Sequence, residues 1–156
     1  MDGPLDAPED DPMSIAADTR YGTSISTFVP GQPMGLDRNM RLISGPRVVL
    51  ESIARRWLTP RGSLITNPDV GIDIRDWIGS DIDPSGNDYA KKHALLVEAR
   101  RDDRVEDVDL DFTYDRATEK LTISATVQLV GADQPFEFVL TVDRVSVSLL
   151  TPGLAA

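Results

Sequence analysis

Polar and apolar residues alternate in three runs through the last third of the chain, and this pattern constrains the fold more than any other feature. The runs cover residues 108–114, 121–129 and 136–142. A period of two places all the apolar side chains of a run on one face of a strand. Short polar turns separate the runs, as is typical of antiparallel neighbours. The pattern predicts a three-stranded antiparallel meander with one buried and one solvated face.

The alternation continues beyond residue 142 with its parity changed. Val145, Val147 and Leu149 are apolar on odd positions, whereas the preceding run is apolar on even positions. A bulge or a turn near Asp143–Arg144 explains the change. The three-stranded meander is complete without this segment, and its alternation predicts a fourth strand.

A helical period precedes the strands. Val49, Ile53 and Trp57 recur at i, i+4 and i+8, which predicts an amphipathic helix. Ser44 is the predicted N-cap, and Pro46 suits the first turn because its missing N–H is no loss there. Thr59–Gly62 is predicted to end the helix. Two smaller expectations follow: an exposed ion pair between Glu51 and Arg55, and a short strand over 63–66.

A second helix is predicted from a capping box to about Arg101. Ser85 is followed three residues later by Asp88, which resembles the reciprocal cap of a helix N-terminus. The buried face is predicted to hold Tyr89, His93, Leu96 and Val97, with His93 as a packed core residue.

The order of elements predicts an α+β fold. Two main helices should pack on a three- to four-stranded antiparallel meander, preceded by an extended N-terminal arm with a strand at 40–43. Residues 1–22 are predicted to be an acidic, disordered tail, 23–150 a single domain, and 151–156 a C-terminal tail.

The acidic charge excludes two classes of partner. The net charge is −10, and residues 1–12 contain five acidic residues and no basic one. Phosphate neutralisation needs clustered Lys and Arg, so a nucleic-acid partner is not expected. A membrane-surface anchor also needs basic residues, and the apolar runs are too short for a membrane span.

Composition also limits metal and catalytic sites. There is no cysteine and one histidine, which excludes a thiolate nucleophile and a sulfur-based or histidine-based metal site. Residues 81–86 resemble the start of a calcium loop, but position 12 of that loop needs a bidentate carboxylate and is Lys92. We expect neither a metal nor a cofactor.

A carboxylate pair leaves one enzymatic alternative open. Glu98, with an aspartate from 102–111, could serve a glycan hydrolase of the lysozyme type. Such an enzyme needs one carboxyl group in an apolar pocket and a second about 5–10 Å away. Trp57 and Trp77 are most simply core residues, and no serine elbow or phosphate-binding glycine loop is present. The main prediction is that the protein is not an enzyme.

Arginines gather where the second helix meets the first long strand. The cluster comprises Arg100, Arg101, Asp102, Asp103 and Arg104. It could be a solvated junction, with cations favoured at a helix C-terminus. It could equally be an interface clasp, because arginine forms planar bidentate pairs at interfaces.

Four segments in order resemble the baseplate wedge or sheath-initiator family of contractile tails, found in phage baseplates, type VI secretion, pyocins and extracellular injection systems. The first reads MGLDRNMRLISGPRVVLESIARRWLTPRGSL and resembles the family's opening strand and helix. The second reads NPDVGIDIRDWI, and the third reads HALLVEARRDDRVEDVDLDFT. The fourth reads LTISATVQLVGADQPFEFVLTV and resembles the closing hairpin. In the family's Glu-Pro-Arg tripeptide, Asp102 stands for the glutamate, Asp103 for the proline, and Arg104 keeps the arginine.

The resemblance implies a structural protein that links wedge proteins to the first ring of sheath and nucleates sheath assembly, in six copies per baseplate. It implies that the tripeptide region contacts the wedge core bundle, and that the sheet pairs with a strand of the tail sheath protein. The segment predicted to pair is Val145, Ser146, Val147, Ser148 and Leu149. Tube or hub proteins are further candidate partners. The implied location is a virion or injection-system baseplate, assembled in the bacterial cytoplasm. A generic acidic adaptor is a third alternative.

Overall fold

The protein has an α+β fold, as predicted, and its described residues form two helices and two antiparallel sheets. The computed structural model describes residues 19–28, 34–35, 39–80, 82–85 and 87–152. The helices are α1 (Pro46–Leu58) and α2 (Tyr89–Arg100), with 3-10 turns at Thr19–Tyr21 and Ile74–Trp77. The strands are β1 (Thr23–Ile25), β2 (Leu42–Ser44), β3 (Val105–Asp115), β4 (Lys120–Leu129), β5 (Phe136–Val142) and β6 (Val147–Leu150).

The main sheet is a meander in the order β3-β4-β5-β6, with every neighbouring pair antiparallel. The alternation in the sequence matches burial in the sheet, since Leu110, Ile123 and Leu140 are buried while Asp109 and Ser124 are exposed. The helices cover the apolar face. Because the sheet is open, β3 and β6 are its two edges.

Helix α1 lies across the core beneath β5. Val49, Ile53 and Trp57 are fully buried, as the period predicted. The Trp57 ring lies 5.5 Å from the Phe138 ring, and its Nε1 donates to the Leu95 carbonyl oxygen, which ties α1 to α2. The predicted cap at Ser44 is wrong: Ser44 ends β2, and the N-cap is Gly45 at φ 72°, a conformation that favours glycine.

The predicted exposed pair of Glu51 and Arg55 is also wrong. Glu51 is fully buried and accepts hydrogen bonds from Ser26 Oγ at 3.2 Å and from the Phe28 N–H at 3.0 Å. Its ion-pair partner is Arg47, at 3.8 Å. A buried carboxylate needs such partners, and these bonds fasten the N-terminal arm to α1.

Helix α2 presents a different face from the predicted one. Its buried residues are Leu95, Glu98 and Ala99, whereas Tyr89 is 79% exposed and His93 is exposed. The N-cap is Asp88, which accepts from the Lys91 N–H at 3.1 Å, and not Ser85. Leu96, also predicted to be buried, is partly buried against the core. The buried Glu98 is compensated by ion pairs with arginines.

Two further boundaries differ from the predictions. Residues 63–66 form no strand, since 65 and 66 lie in a turn, and the arm strand is Leu42–Ser44 rather than 40–43. At the other end of the arm, Tyr21 is buried, and its hydroxyl donates to the Val130 carbonyl oxygen at 3.1 Å. Tyr21 of the Thr19–Tyr21 turn, which the prediction placed in the disordered tail, therefore packs against the domain. Residues 1–18 of the predicted tail, and 153–156 of the C-terminal one, lie outside the described residues.

Candidate functional site

The junction between α2 and β3 is organised by Asp102 and Arg104. Arg104 Nε and Nη2 donate to the two Asp102 carboxylate oxygens at 2.8 and 2.6 Å, a bidentate pair. Arg104 Nη1 donates to the Tyr21 carbonyl oxygen at 2.6 Å. The arginine of the tripeptide-like segment therefore also holds the start of the described chain, a role the sequence did not indicate.

The electrostatics of Asp102 follow from this geometry. Burial would raise the pKa of the Asp102 carboxyl, but hydrogen bonds from the Arg104 side chain and backbone, with the charge of Arg104, hold that pKa below its ordinary value. The same hydrogen bond to Asp102 raises the pKa of the Arg104 guanidinium.

The other members of the cluster point to different partners. Arg100 Nη2 pairs with Asp107 Oδ1 at 2.8 Å on the exposed face of β3. Arg101 Nη1 donates to the Asp69 carbonyl oxygen at 2.6 Å, and its guanidinium is 40% exposed. Asp103 is exposed at the tip of the junction. The structure thus brings the five residues to one corner, where Arg100, Arg101 and Asp103 are accessible and Asp102 is not.

Glu98 forms a second centre beside this corner, with partners that the sequence did not predict. It is 1% exposed and accepts from the Gly71 N–H at 3.0 Å. Guanidinium nitrogens of Arg56, Arg61 and Arg101 lie at 3.5, 3.9 and 3.5 Å from its carboxylate. These surroundings are the opposite of the apolar pocket that a glycosidase general acid needs.

The segment predicted to pair with a neighbour is a turn followed by a short edge strand. Val145 is 91% exposed at a turn that Asp143 closes by accepting from the Val145 and Ser146 N–H groups at 2.8 and 2.6 Å. Strand β6 begins only at Val147, so Val145 and Ser146 are not part of it. Val147 and Leu149 are buried, and Ser148 and Leu150 face outward.

The backbone of β6 has a defined open side. The Asp143 N–H donates to the Ser146 carbonyl oxygen at 3.0 Å, which fixes the phase of the ladder with β5. Because direct and open pairs alternate in antiparallel sheets, Val147 and Leu149 direct their N–H and C=O groups away from β5. No other strand of the described chain covers that side.

The described residues contain neither a metal-binding cluster nor a membrane-spanning helix. Across the described ranges, no group of three His, Asp or Glu residues is placed to hold a metal ion. In the loop resembling a calcium site, Asp81 and Gly86 lie outside the described residues. Asp83 Oδ1 accepts from the Ser85 N–H and Oγ at 2.9 and 2.7 Å. No helix in the part of the chain that the structure describes is long and apolar enough to cross a membrane.

Comparison with known proteins leaves the family open. No protein-family model matches the chain, and no curated protein sequence matches it.

We predict that the domain loses stability in acid. The pKa of Asp102 is lowered in the folded state, so the native protein binds fewer protons there than the unfolded chain, whose aspartates titrate near about 3.9. The contribution of Asp102 to the free energy of unfolding is present above that unfolded pKa of about 3.9. It is lost as the pH falls through the lower pKa of the folded state. Urea midpoints measured from pH 7 to pH 2.5 should fall below about pH 4. Asp102→Asn should flatten part of that fall, and an unchanged pH profile in this variant would contradict the assignment.

Proposed function

We propose that the protein is a non-enzymatic structural component of the baseplate of a contractile injection machine. It links wedge proteins to the first ring of sheath and nucleates sheath assembly, in six copies per baseplate. The ordered sequence resemblance supports this proposal.

The single observation that carries the proposal is the difference between the two edges of the main sheet. Edge β3 bears five acidic residues along its length, namely Glu106, Asp107, Asp109, Asp111 and Asp115. Two of them pair with basic residues of α2, Asp107 with Arg100 and Asp111 with Lys92. Charges of this kind prevent edge-to-edge pairing. Edge β3 is therefore protected.

Edge β6 has none of this protection. Its sequence is Val-Ser-Leu-Leu, without a charge or a proline, and its Leu150 side chain is 61% exposed. The open N–H and C=O groups of Val147 and Leu149 can accept a strand by β-augmentation. We propose that a strand of the sheath protein pairs there, and that the accessible face of Arg100, Arg101 and Asp103 meets the wedge proteins.

We predict that Leu150→Lys abolishes sheath assembly and leaves the domain folded. Leu150 is mostly exposed, so its replacement should change the free energy of unfolding by no more than about 0.5 kcal/mol. A lysine on an edge strand opposes the approach of another strand. Electron microscopy of particles from cells carrying the variant should show baseplates without sheath.

The matched control is Thr113→Lys, which adds the same charge at an exposed position on the opposite edge, β3. This variant should assemble sheath normally. Normal sheathed particles from Leu150→Lys, or equal loss in both variants, would argue against pairing at β6.

A further inference from the structure

An arginine-rich groove lies at the C-terminal end of α1. It has a volume of about 400 Å³ and is bounded by α1 and the loop that follows it. Its lining residues are Ser52, Arg55, Arg56, Thr59, Leu64, Asn67 and Val70. The lining combines two guanidinium groups with apolar side chains and contains no carboxylate. We define these residues as the arginine groove.

Positive charge exceeds negative charge at this groove. Three arginines, Arg56, Arg61 and Arg101, share the single carboxylate of Glu98. Arg55 donates to Thr27 Oγ1 at 3.0 Å, and within the described ranges no carboxylate lies at ion-pair distance from it. Burial lowers the pKa of Arg55 from its ordinary value, the charge of Glu51 opposes this effect, and that of Arg104 adds to it. A partly buried cation without an ion pair favours the approach of an anion.

The chain itself carries a segment of complementary chemistry. Residues 1–12 read MDGPLDAPEDDP, with five carboxylates, no basic residue and one large aliphatic side chain, Leu5, between Asp2 and Asp6. We propose that this acidic segment occupies the arginine groove of the same molecule, with carboxylates on Arg55 and Arg56 and Leu5 against Leu64 and Val70.

The position of the first described residues makes the contact intramolecular. The turn at Thr19–Tyr21 contacts α1, the helix that forms one wall of the groove. Residues 13–18, between the acidic segment and Thr19, can span up to about 20 Å when extended. A connection of only six residues gives an effective concentration in the millimolar range, so weak ionic contacts suffice.

This contact has a consequence for partners and is independent of the proposed baseplate function. While the acidic segment fills the groove, an acidic segment of another protein must displace it to bind there. The five carboxylates then act as an internal competitor, and both contacts weaken with salt because the Debye length falls from about 10 Å at 0.1 M to about 3 Å at 1 M.

The test uses the whole 156-residue chain with a single spin label. The chain has no cysteine, so Ala7→Cys provides a unique site for a nitroxide. We expect the label to remove amide NMR signals of Arg55, Leu64 and Asn67 at low salt, and these signals to return at 1 M NaCl. Arg55→Gln should restore most of the lost signal, whereas Arg144→Gln should not, because Arg144 pairs with Glu119 on the sheet hairpins.

Three results would overturn the proposal. One is equal signal loss at the groove when isotope-labelled chain without a nitroxide is mixed with spin-labelled chain without isotope label, which would mean that a second copy is the occupant. Another is no selective loss at the groove amides in a spectrum that shows the folded domain. A groove that binds an added acidic peptide of residues 1–12 equally well in the parent chain and in a variant with its five acids neutralised would also contradict internal competition.

Discussion

Gly71→Ala is expected to destabilise the domain by about 4 kcal/mol or more, a large share of the roughly 5–15 kcal/mol that stabilises a typical domain. Gly71 has a φ of 108°, which side chains rarely adopt, and an added Cβ would lie 2.0 Å from the Thr59 carbonyl oxygen. Thr59 follows α1 directly, so its backbone cannot move without disturbing the end of that helix. Gly71 also binds Glu98 through its N–H and Arg61 through its carbonyl oxygen, at 3.0 and 3.2 Å. Urea unfolding followed by circular dichroism measures the loss.

Gly62→Ala separates the clash from the backbone strain. Gly62 has a similar positive φ of 86°, but no atom lies within 4 Å of the position of its Cβ. This variant should lose only about 1–2 kcal/mol, the cost of a left-handed residue. Equal losses in the two variants would mean that Gly71 is not held against Thr59.

Glu98→Gln is expected to destabilise the domain by about 3 kcal/mol, because it leaves Arg56, Arg61 and Arg101 without their shared carboxylate. Arg61 and Arg101 are 59% and 40% exposed, so solvent screens much of their contribution and most of the loss arises at Arg56. The melting temperature should fall by about 6–12 °C for a domain of this size.

Glu106→Gln is the matched control for this substitution, since Glu106 is an exposed residue of β3. It should change stability by no more than about 0.5 kcal/mol. The same pair of variants bears on the hydrolase alternative. A peptidoglycan turnover assay that finds activity in the parent chain, lost in Glu98→Gln at a temperature where that variant is folded, would contradict a purely structural role for Glu98.

The strands could be predicted from the sequence because their signal is local. Side chains alternate with a period of two whatever the strand packs against, so the run at 136–142 predicts β5 with its observed bounds. The edge strand was harder to predict. Val145 is apolar at an odd position like Val147, so the pattern includes it in the strand. The Asp143 carboxylate, however, accepts hydrogen bonds from the N–H groups of the turn, and Val145 is exposed to solvent.

The helix faces depended on partners far along the chain. In α2, Tyr89, His93 and Val97 follow a helical period, which predicted a buried stripe, but the three residues are exposed. The helix instead buries Glu98, whose arginine partners Arg56 and Arg61 come from the end of α1 and the following loop. Glu51 in α1 shows the same effect with Ser26. Single-sequence periodicity contains no information on such distant ion pairs.

The sequence located the cluster of residues 100–104, and the structure changes the role of two of its members. The concentration of arginines at the end of α2 indicated a special corner, and the two alternatives were a solvated junction and an interface clasp. Asp102 and Arg104 do form a bidentate pair, but within the chain and with Tyr21 as a third partner. The surface left for a partner is that of Arg100, Arg101 and Asp103.

The proposed function rests on an open β6 edge that pairs with another protein in an assembled particle. Cryo-electron microscopy of contractile particles from cells that encode this chain tests that claim most directly. We predict six copies around the particle axis, each with the N–H and C=O groups of Val147 and Leu149 hydrogen-bonded to a strand of the first sheath ring. Particles complete without this chain, or copies whose β6 edge faces solvent, would contradict it.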